Sequence, residues 1–327
     1  MPAANPLNGL KALQFLPPFM NVPNAVESGK LSDGHWNWTA RLAYEFSDTL
    51  NAYASYATGY KAASVNLSRD SRPTAADLTA LRTAGLAVTN LSSGSRFANP
   101  EYSTVYEFGL KGNWGVASAN LAVFKQSIKG FQSNIFTGTG FFLANAGKQS
   151  AFGIEFEGMA RPTPELTLNL AMTYLDAKYD SFPLSAFGDL SGTRPGGVSP
   201  LSMTIGAEWN KELGNGDRVI LRGDYHYEAL FKLVEGLPGL VVKNSQGAIV
   251  DTAPALAAGR DFKQDINQVN ASLTYAMANG IELSIWGRNL TDNRTILQIF
   301  DSPAQSGSIS GYLSEPRTFG GSVRFKF

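Results

Sequence analysis

His226 stands between Tyr225 and Tyr227, and His35 is the only other histidine in the chain. A hydrolase would need a serine nucleophile activated by a neighbouring base. Ser202 or Ser272 would have to meet His226, and no local spacing joins them. A metal site asks for several convergent ligands, and a lone histidine on a wet wall supplies one. Cysteine is absent, which removes thiolate nucleophiles, thiolate metal sites and disulfides. The residues therefore call for no cofactor, no metal and no enzyme.

Binding chemistry is better represented. Arg69, Arg72, Arg96, Lys232 and Arg260 offer cations for an anionic ligand. Phe141, Phe142, Phe262 and Tyr312 offer flat apolar surface for stacking. All nine fall in long segments between strands, where binding residues concentrate on a rigid scaffold. The same residues are also ordinary loop composition. Lys plus Arg and Asp plus Glu balance at 27 each, so the chain carries no electrostatic footprint for nucleic acid.

The segments that must position these residues alternate with period two, as strands do. Trp36, Trp38, Leu42, Tyr44 and Phe46 oppose Asn37, Thr39, Arg41 and Glu45. A partner runs from Leu50 to about Lys61. Strands follow from Tyr102 to Gly112 and from Ala117 to about Ser133. Phe152, Ile154 and Phe156 oppose Glu155 and Glu157, and Leu168, Leu170 and Met172 oppose Asn169 and Thr173. Leu201 to Trp209 alternates, as does Val219 to Glu228. Val269 to Met277 leads into Asn279-Gly280, the strongest short hairpin signal, and Ile281, Leu283 and Ile285 return. The last strand puts Phe319, Val323, Phe325 and Phe327 opposite Arg324 and Lys326. Of the charged positions, Glu107, Glu155, Glu157, Glu208, Arg222, Asp224, Glu228, Arg288 and Arg324 lie on polar faces, as lumen contacts or as a solvated wall of cross-strand pairs.

The expected fold is all-β: a transmembrane antiparallel β-barrel of about eleven strands, each near the roughly 9–11 residues that span a bilayer at a tilt. Connections alternate short and long. The loops over 62–100, 179–199, 231–262 and 291–315 fall at one end, with a moderate one after Ser133, and the tight turns fall at the other. An outer-membrane barrel has this asymmetry. The first long loop also has a helix signal, with Thr74 as N-cap of a segment reaching Val88. Hydrophobic residues make up 43% of the chain, but no run approaches the roughly 18–20 apolar residues of a membrane helix.

Five segments carry a family resemblance. They are Tyr53 to Lys61, ending Thr58-Gly59-Tyr60-Lys61; Asn99-Pro100-Glu101 with Tyr106-Glu107-Phe108-Gly109-Leu110-Lys111; Asn145-Ala146-Gly147 with Gly153 to Gly158; Trp286-Gly287-Arg288-Asn289-Leu290-Thr291-Asp292; and Glu315 to Phe319 running on to Phe327. In this order, over residues 36–327, the chain resembles the C-terminal half of TonB-dependent outer-membrane receptors.

The resemblance implies part of a 22-stranded barrel with a plug in its lumen, in the outer membrane of a Gram-negative bacterium. It implies import of a bulky nutrient such as an iron–siderophore complex, driven by the TonB complex through the plug. It implies outer-membrane lipid around the barrel and recognition by the barrel assembly machinery through Phe319, Val323, Phe325 and Phe327. Residues 1–33 would belong to an outer loop and 34–327 to the barrel half. Met1 leads into no signal peptide, and the plug and TonB box are absent, so the beginning of the parent protein is expected to be missing. Two alternatives stand beside this reading: a small passive porin or adhesin-like barrel, and a soluble β protein whose apolar faces pack on a core.

Overall fold

The computed structural model describes residues 32–65, 83, 97–136, 141–145, 147–244, 249–302, 305 and 307–326. Arg69, Arg72, Arg96 and Phe327, residues 1–31 and nearly all of the helix expected from Thr74 to Val88 lie outside these. In chain order the strands are β1 (Thr39–Ser47), β2 (Leu50–Lys61), β3 (Ser64–Val65), β4 (Phe97–Ala98), β5 (Glu101–Asn113), β6 (Ala117–Lys129), β7 (Gln132–Phe136) and β8 (Phe141–Asn145). Then come β9 (Lys148–Thr163), β10 (Leu166–Ser181), β11 (Leu201–Glu212), β12 (Arg218–Lys232), β13 (Val242–Lys243) and β14 (Ile249–Asp251). Helix α1 (Ala253–Asp261) precedes β15 (Lys263–Ala276), β16 (Ile281–Arg288), β17 (Ile296–Asp301), β18 (Ile309–Leu313) and β19 (Thr318–Phe325).

Eleven long strands form one antiparallel sheet in sequence order, β1-β2-β5-β6-β9-β10-β11-β12-β15-β16-β19. Every neighbour is thus the next long strand, as tight hairpins and simple returns dictate. The sheet is open, since β1 and β19 are its two edges. The remaining strands make four two-stranded hairpins, and each lies within a long connection at the same end.

Register decides which side is which. Leu42, Tyr44, Tyr106, Phe108, Phe152, Leu168, Ile205, Leu221, Leu273, Ile285, Phe319 and Val323 share one face and are all solvent-accessible, with Leu42 at 75% and Phe319 at 68%. A soluble protein rarely exposes an apolar patch beyond a few hundred Å², and this one crosses eleven strands. The opposite face carries the carboxylates, guanidinium groups and amides. The soluble alternative fails here, because the apolar side of the sheet meets no core of its own.

The chain does build a packed core, but in the long loops. Tyr179, Phe182, Ala186, Phe187, Leu190 and Ala255 form a buried cluster, with Phe131, Leu240, Val241 and Leu256 against it. These side chains come from the link between β6 and β7, the end of β10, the 182–200 connection, the 3-10 turn at Pro238–Leu240 with the residue after it, and α1. Gly259 permits the closest approach, since a Cβ there would stand 2.3 Å from the Glu235 carbonyl oxygen.

Several boundaries differ from the sequence expectation. The strand from Ala117 ends at Lys129, because Gly130 takes a left-handed φ of 69° and Gln132 opens a separate hairpin. The loop expected over 179–199 begins only after Ser181. Residues 141–145, expected in a loop, form β8 against β7. The 231–262 segment was expected to be loop throughout. It contains α1, whose Ala253 N–H donates to Asp251 Oδ1 at 2.8 Å and whose Pro254 sits in the first turn, a placement suited to helix starts. Strands β9 and β10 reach 16 residues each, longer than a bilayer requires, and project beyond the apolar band.

Candidate functional site

Two surfaces carry polar groups in quantity: the cap built by the long loops, and the polar wall of the sheet. At the cap, Lys232 is the last residue of β12 and pairs with Lys263, past a bulge after Glu228. This corrects its expected place in a loop. Its carbonyl accepts the Gly197 N–H at 2.7 Å, and the Phe262 carbonyl accepts the Leu233 N–H at 2.9 Å. Arg260 is exposed in the last turn of α1 and Phe262 caps that helix. The fold therefore brings Lys232, Arg260 and Phe262 to one corner. Tyr312 is exposed on β18, with its ring centroid 5.6 Å from that of Phe300. Phe141 and Phe142 lie on the β7–β8 hairpin, in a different connection.

Polar staples fix the cap. Gln264 clasps Ile296 with both amide atoms, its Nε2 donating to the Ile296 carbonyl at 3.0 Å and its Oε1 accepting the Ile296 N–H at 2.8 Å. Gly239 N–H donates to Asp301 Oδ2 at 2.6 Å, joining the β17 hairpin to the 3-10 turn. Burial raises the Asp301 carboxyl above its ordinary range, and the Gly239 bond opposes that shift. Glu235 accepts from the Tyr179 hydroxyl at 2.9 Å and from Gly196 N–H at 3.0 Å. Sequence reading gave none of Gln264, Glu235 or Asp301 a role, since each acts across tens of residues with no local spacing to betray it.

The motif residues act at strand ends. Asn145 Nδ2 donates to the Asn99 and Gly130 carbonyls, and its Oδ1 accepts the Asn99 N–H at 2.7 Å. Glu101 accepts the Gln132 N–H at 2.6 Å and pairs with Lys61 at 3.2 Å. Asn289 and Asp292 both hold left-handed backbone, φ 50° and 51°, which Asn and Asp tolerate best among non-glycine residues. The Asn289 side chain accepts the Asn293 N–H at 2.9 Å and donates to the Asn293 and Glu315 carbonyls. Arg317 N–H donates to Asp292 Oδ1, and that bond holds the Asp292 carboxyl below its usual range. The Asn289 and Asp292 side chains thus close a turn onto backbone rather than face a ligand.

The polar wall is laced with pairs. Glu208 takes the Arg222 Nε at 2.6 Å, and His226 contacts Thr204 at 3.0 Å and Glu228 at 3.2 Å. A concavity of about 410 Å³ near the tight-turn end is lined by Arg218, Arg222, Glu282, Arg324 and Lys326, among others. Three aromatic rings lie flat over glycines directly opposite them, Tyr53 on Gly109, Phe124 on Gly153 and Trp286 on Gly320, so the wall stays smooth.

Residues 18–290 match the family described as TonB dependent receptor-like, beta-barrel. The chain belongs to that family. Its members are β-barrels of the Gram-negative outer membrane and are transporters, not enzymes. The apolar face of this receptor sheet accordingly faces lipid and the polar wall faces a lumen. Solved structures share the fold. The ferric yersiniabactin uptake receptor FyuA of Yersinia pestis aligns at TM-score 0.62 and 18% identity, over 88% of this chain and 37% of that one. BauA, the ferric preacinetobactin receptor of Acinetobacter baumannii, aligns at 0.55 and 16%, over 87% and 35%. The copper transporter OprC aligns at 0.57 and 15%, over 88% and 39%. The chain thus spans a little over a third of the length of these proteins, and its eleven-stranded receptor sheet is open where a whole barrel closes.

Proposed function

We propose that this chain is the C-terminal barrel half of a receptor that imports a bulky nutrient, an iron–siderophore complex being the expected cargo. Residues 34–327 supply wall and loops, and residues 1–33 continue an outer loop. The observation that carries the reading is the one-ended architecture: every long connection gathers over one rim of a lipid-facing sheet whose inner wall is polar. FyuA and BauA, named for ferric siderophores, favour that cargo class, while OprC, named for copper, shows that the fold alone does not choose it. In the cap, Arg260, Lys232, Phe262 and Tyr312, with Phe141 and Phe142 on the β7–β8 hairpin, are the proposed ligand contacts among the described residues, and Arg69, Arg72 and Arg96 extend the set.

At the other end of the chain, β19 is an edge strand with unpaired backbone on one side and Phe319, Val323 and Phe325 turned to lipid. Such an edge is a template for strand addition, and we assign it, with Phe327, as the element that the barrel assembly machinery reads. Unpaired edges are costly in lipid, so the chain alone should not transport.

The test uses the whole reading frame in a receptor-deleted strain, with radioactive iron loaded on hydroxamate, catecholate and mixed siderophores. Uptake of one class that disappears when TonB is deleted supports the reading. Uptake that survives without TonB would make the protein a passive porin, and uptake of none of the three would refute the siderophore cargo.

A further inference from the structure

The segment that leads into β1 lies beside the long-loop ends of β2 and β5. There the fold gathers four side chains: Asp33 and His35 from that segment, Tyr60 from β2 and Tyr102 from β5. Tyr60 and Tyr102 are directly opposed in the register, on the apolar face that Tyr56 and Tyr106 share. Each is the last residue of its strand on that face at this rim. The Tyr60 hydroxyl donates to Asp33 Oδ2 at 2.7 Å. The His35 ring centroid lies 5.6 Å from that of Tyr60 and 4.9 Å from that of Tyr102, and the two tyrosine centroids are 5.8 Å apart. Along the chain His35 has only Asp33 near it, so spacing alone called for no metal.

Tyrosines alone would make this part of an interfacial girdle. A carboxylate and an imidazole join them, and both spacing and donor chemistry then point to a metal. Neighbouring donors on an octahedral ion, with bonds of roughly 2.0–2.2 Å, stand about 2.8–3.1 Å apart. The Tyr60 oxygen and Asp33 Oδ2 are close to that separation already. With the same bonds, an imidazole and a phenolate in neighbouring positions place their ring centroids roughly 5 Å apart, and two phenolates roughly 6 Å. The three ring pairs here lie between 4.9 and 5.8 Å. Carboxylate and phenolate oxygens are hard donors, and imidazole suits iron. Two phenolates and a carboxylate carry three negative charges, which a ferric ion cancels and a divalent ion does not. Asp33, His35 and Tyr102 are exposed and Tyr60 is partly so, so an ion can reach them from the medium above the rim.

We propose that Asp33, His35, Tyr60 and Tyr102 form a binding site for ferric ion at the outer rim of the barrel wall. Both tyrosines bind as phenolates, and their two protons pass to solvent. Four protein ligands leave two positions of a six-coordinate ion to water or to the chelator that delivers it. The site takes the bare metal ion, whereas the cap is proposed to take its chelate complex. It rests on the outer-membrane reading of the fold for its access, but not on transport. A receptor that binds ferric ion here yet imports no siderophore upholds the site and defeats the transport reading.

The experiment titrates the full-length receptor in detergent with ferric nitrilotriacetate. One ion should bind per receptor, with a visible phenolate-to-iron charge-transfer band that the chelate alone lacks. Tyr60→Phe and Tyr102→Phe should each weaken binding by at least the roughly 10–100-fold that losing even an outer partner of a metal ligand costs. The double variant should lose the band. Asp33→Asn and His35→Ala should weaken binding and keep the band at saturating iron, because both phenolates remain. Tyr56→Phe/Tyr106→Phe, at the opposed pair four residues further from the rim, should change nothing. Heat-modifiable gel mobility checks that each variant is folded. The site is refuted if the wild-type receptor shows no band, or if the Tyr60→Phe/Tyr102→Phe variant binds iron with wild-type affinity and colour. Displacement of the iron by an equal concentration of cupric nitrilotriacetate would overturn the assignment to ferric ion.

Discussion

Gly109 should change the sign of its effect on stability according to what stands at position 53. A Cβ at Gly109 would stand 2.2 Å from Tyr53 Cε1, far inside contact distance. The ring is the free end of a side chain, so it can swing aside, and the cost is the contacts it leaves. Tyr53 Oη donates to Glu107 Oε1 at 2.6 Å, and the Arg41 guanidinium stands 4.1 Å from the ring centroid. A hydrogen bond to a charged group contributes about 1.5–3 kcal/mol and an exposed cation–π contact about 0.5–1 kcal/mol. Against a loss of about 2–4 kcal/mol stands the gain from replacing a strand glycine by alanine, about 0.5–1 kcal/mol. Gly109→Ala should therefore destabilise the receptor by about 1–3.5 kcal/mol. In a Tyr53→Ala background there is no ring to displace, and the same change should stabilise by about 0.5–1 kcal/mol. Gly223→Ala is the control, since a Cβ there meets its nearest atom at an ordinary 3.6 Å. Urea unfolding of the refolded receptor in detergent, read by tryptophan fluorescence, gives the four corners of the cycle. Equal effects of Gly109→Ala in the two backgrounds would refute the reasoning.

Two further outcomes follow from the staples. Asn289→Ala removes a 5% exposed side chain that satisfies three backbone groups and puts alanine in the left-handed region; it should cost about 3–5 kcal/mol, and Asn289→Gly should recover about 1 kcal/mol of this in the same urea assay. Asp217, in the turn between β11 and β12, accepts from the Tyr275 hydroxyl, the Ala278 N–H and Asn215 Nδ2, and these bonds lower its pKa, the Tyr275 bond most. A depressed folded-state pKa contributes stability that is complete above the ordinary carboxylate value of about 3.9 and is lost as pH falls through the depressed one. Asp217→Asn should accordingly flatten the acid limb of the unfolding midpoint below about pH 4, and an unchanged limb would show that Asp217 carries no linkage.

The sheet was legible because its two faces have different solvents. Leu168, Leu170 and Met172 alternate with Asn169, Ala171 and Thr173 without a break, and the tight turns carry glycine where φ must be positive, as at Gly216 and Gly280. The cap was not legible. Its order comes from pairs such as Tyr179 with Glu235 and Gln264 with Ile296, separated by tens of residues and set in segments with no period. Helix α1 had local signals in Asp251, Pro254 and an alanine run, but so short an amphipathic segment between long strands reads as loop. The overrun of β9 and β10 past the membrane was missed for a further reason. Lysines continue the two-residue alternation that aromatics begin, so period alone cannot mark where lipid stops.

Along β10 the outward side chains run Leu168, Leu170, Met172, Tyr174, Asp176, Lys178, while the inward ones stay mixed throughout. The boundary is thus written on the outer face only. Above it the strands are no longer held by lipid, and they continue because the loop core packs on their ends: Tyr179, on the inward face of β10, is part of the buried cluster with Phe182 and Phe187. The overrun of β10 therefore has a structural cause on one face and a free chemical surface on the other. A cap that needs a rigid pedestal obliges some strands to project, and projection lifts lysines on the outward side clear of the hydrocarbon. Shortening β10 to remove Lys178 would therefore also remove the footing of Tyr179 in the loop core.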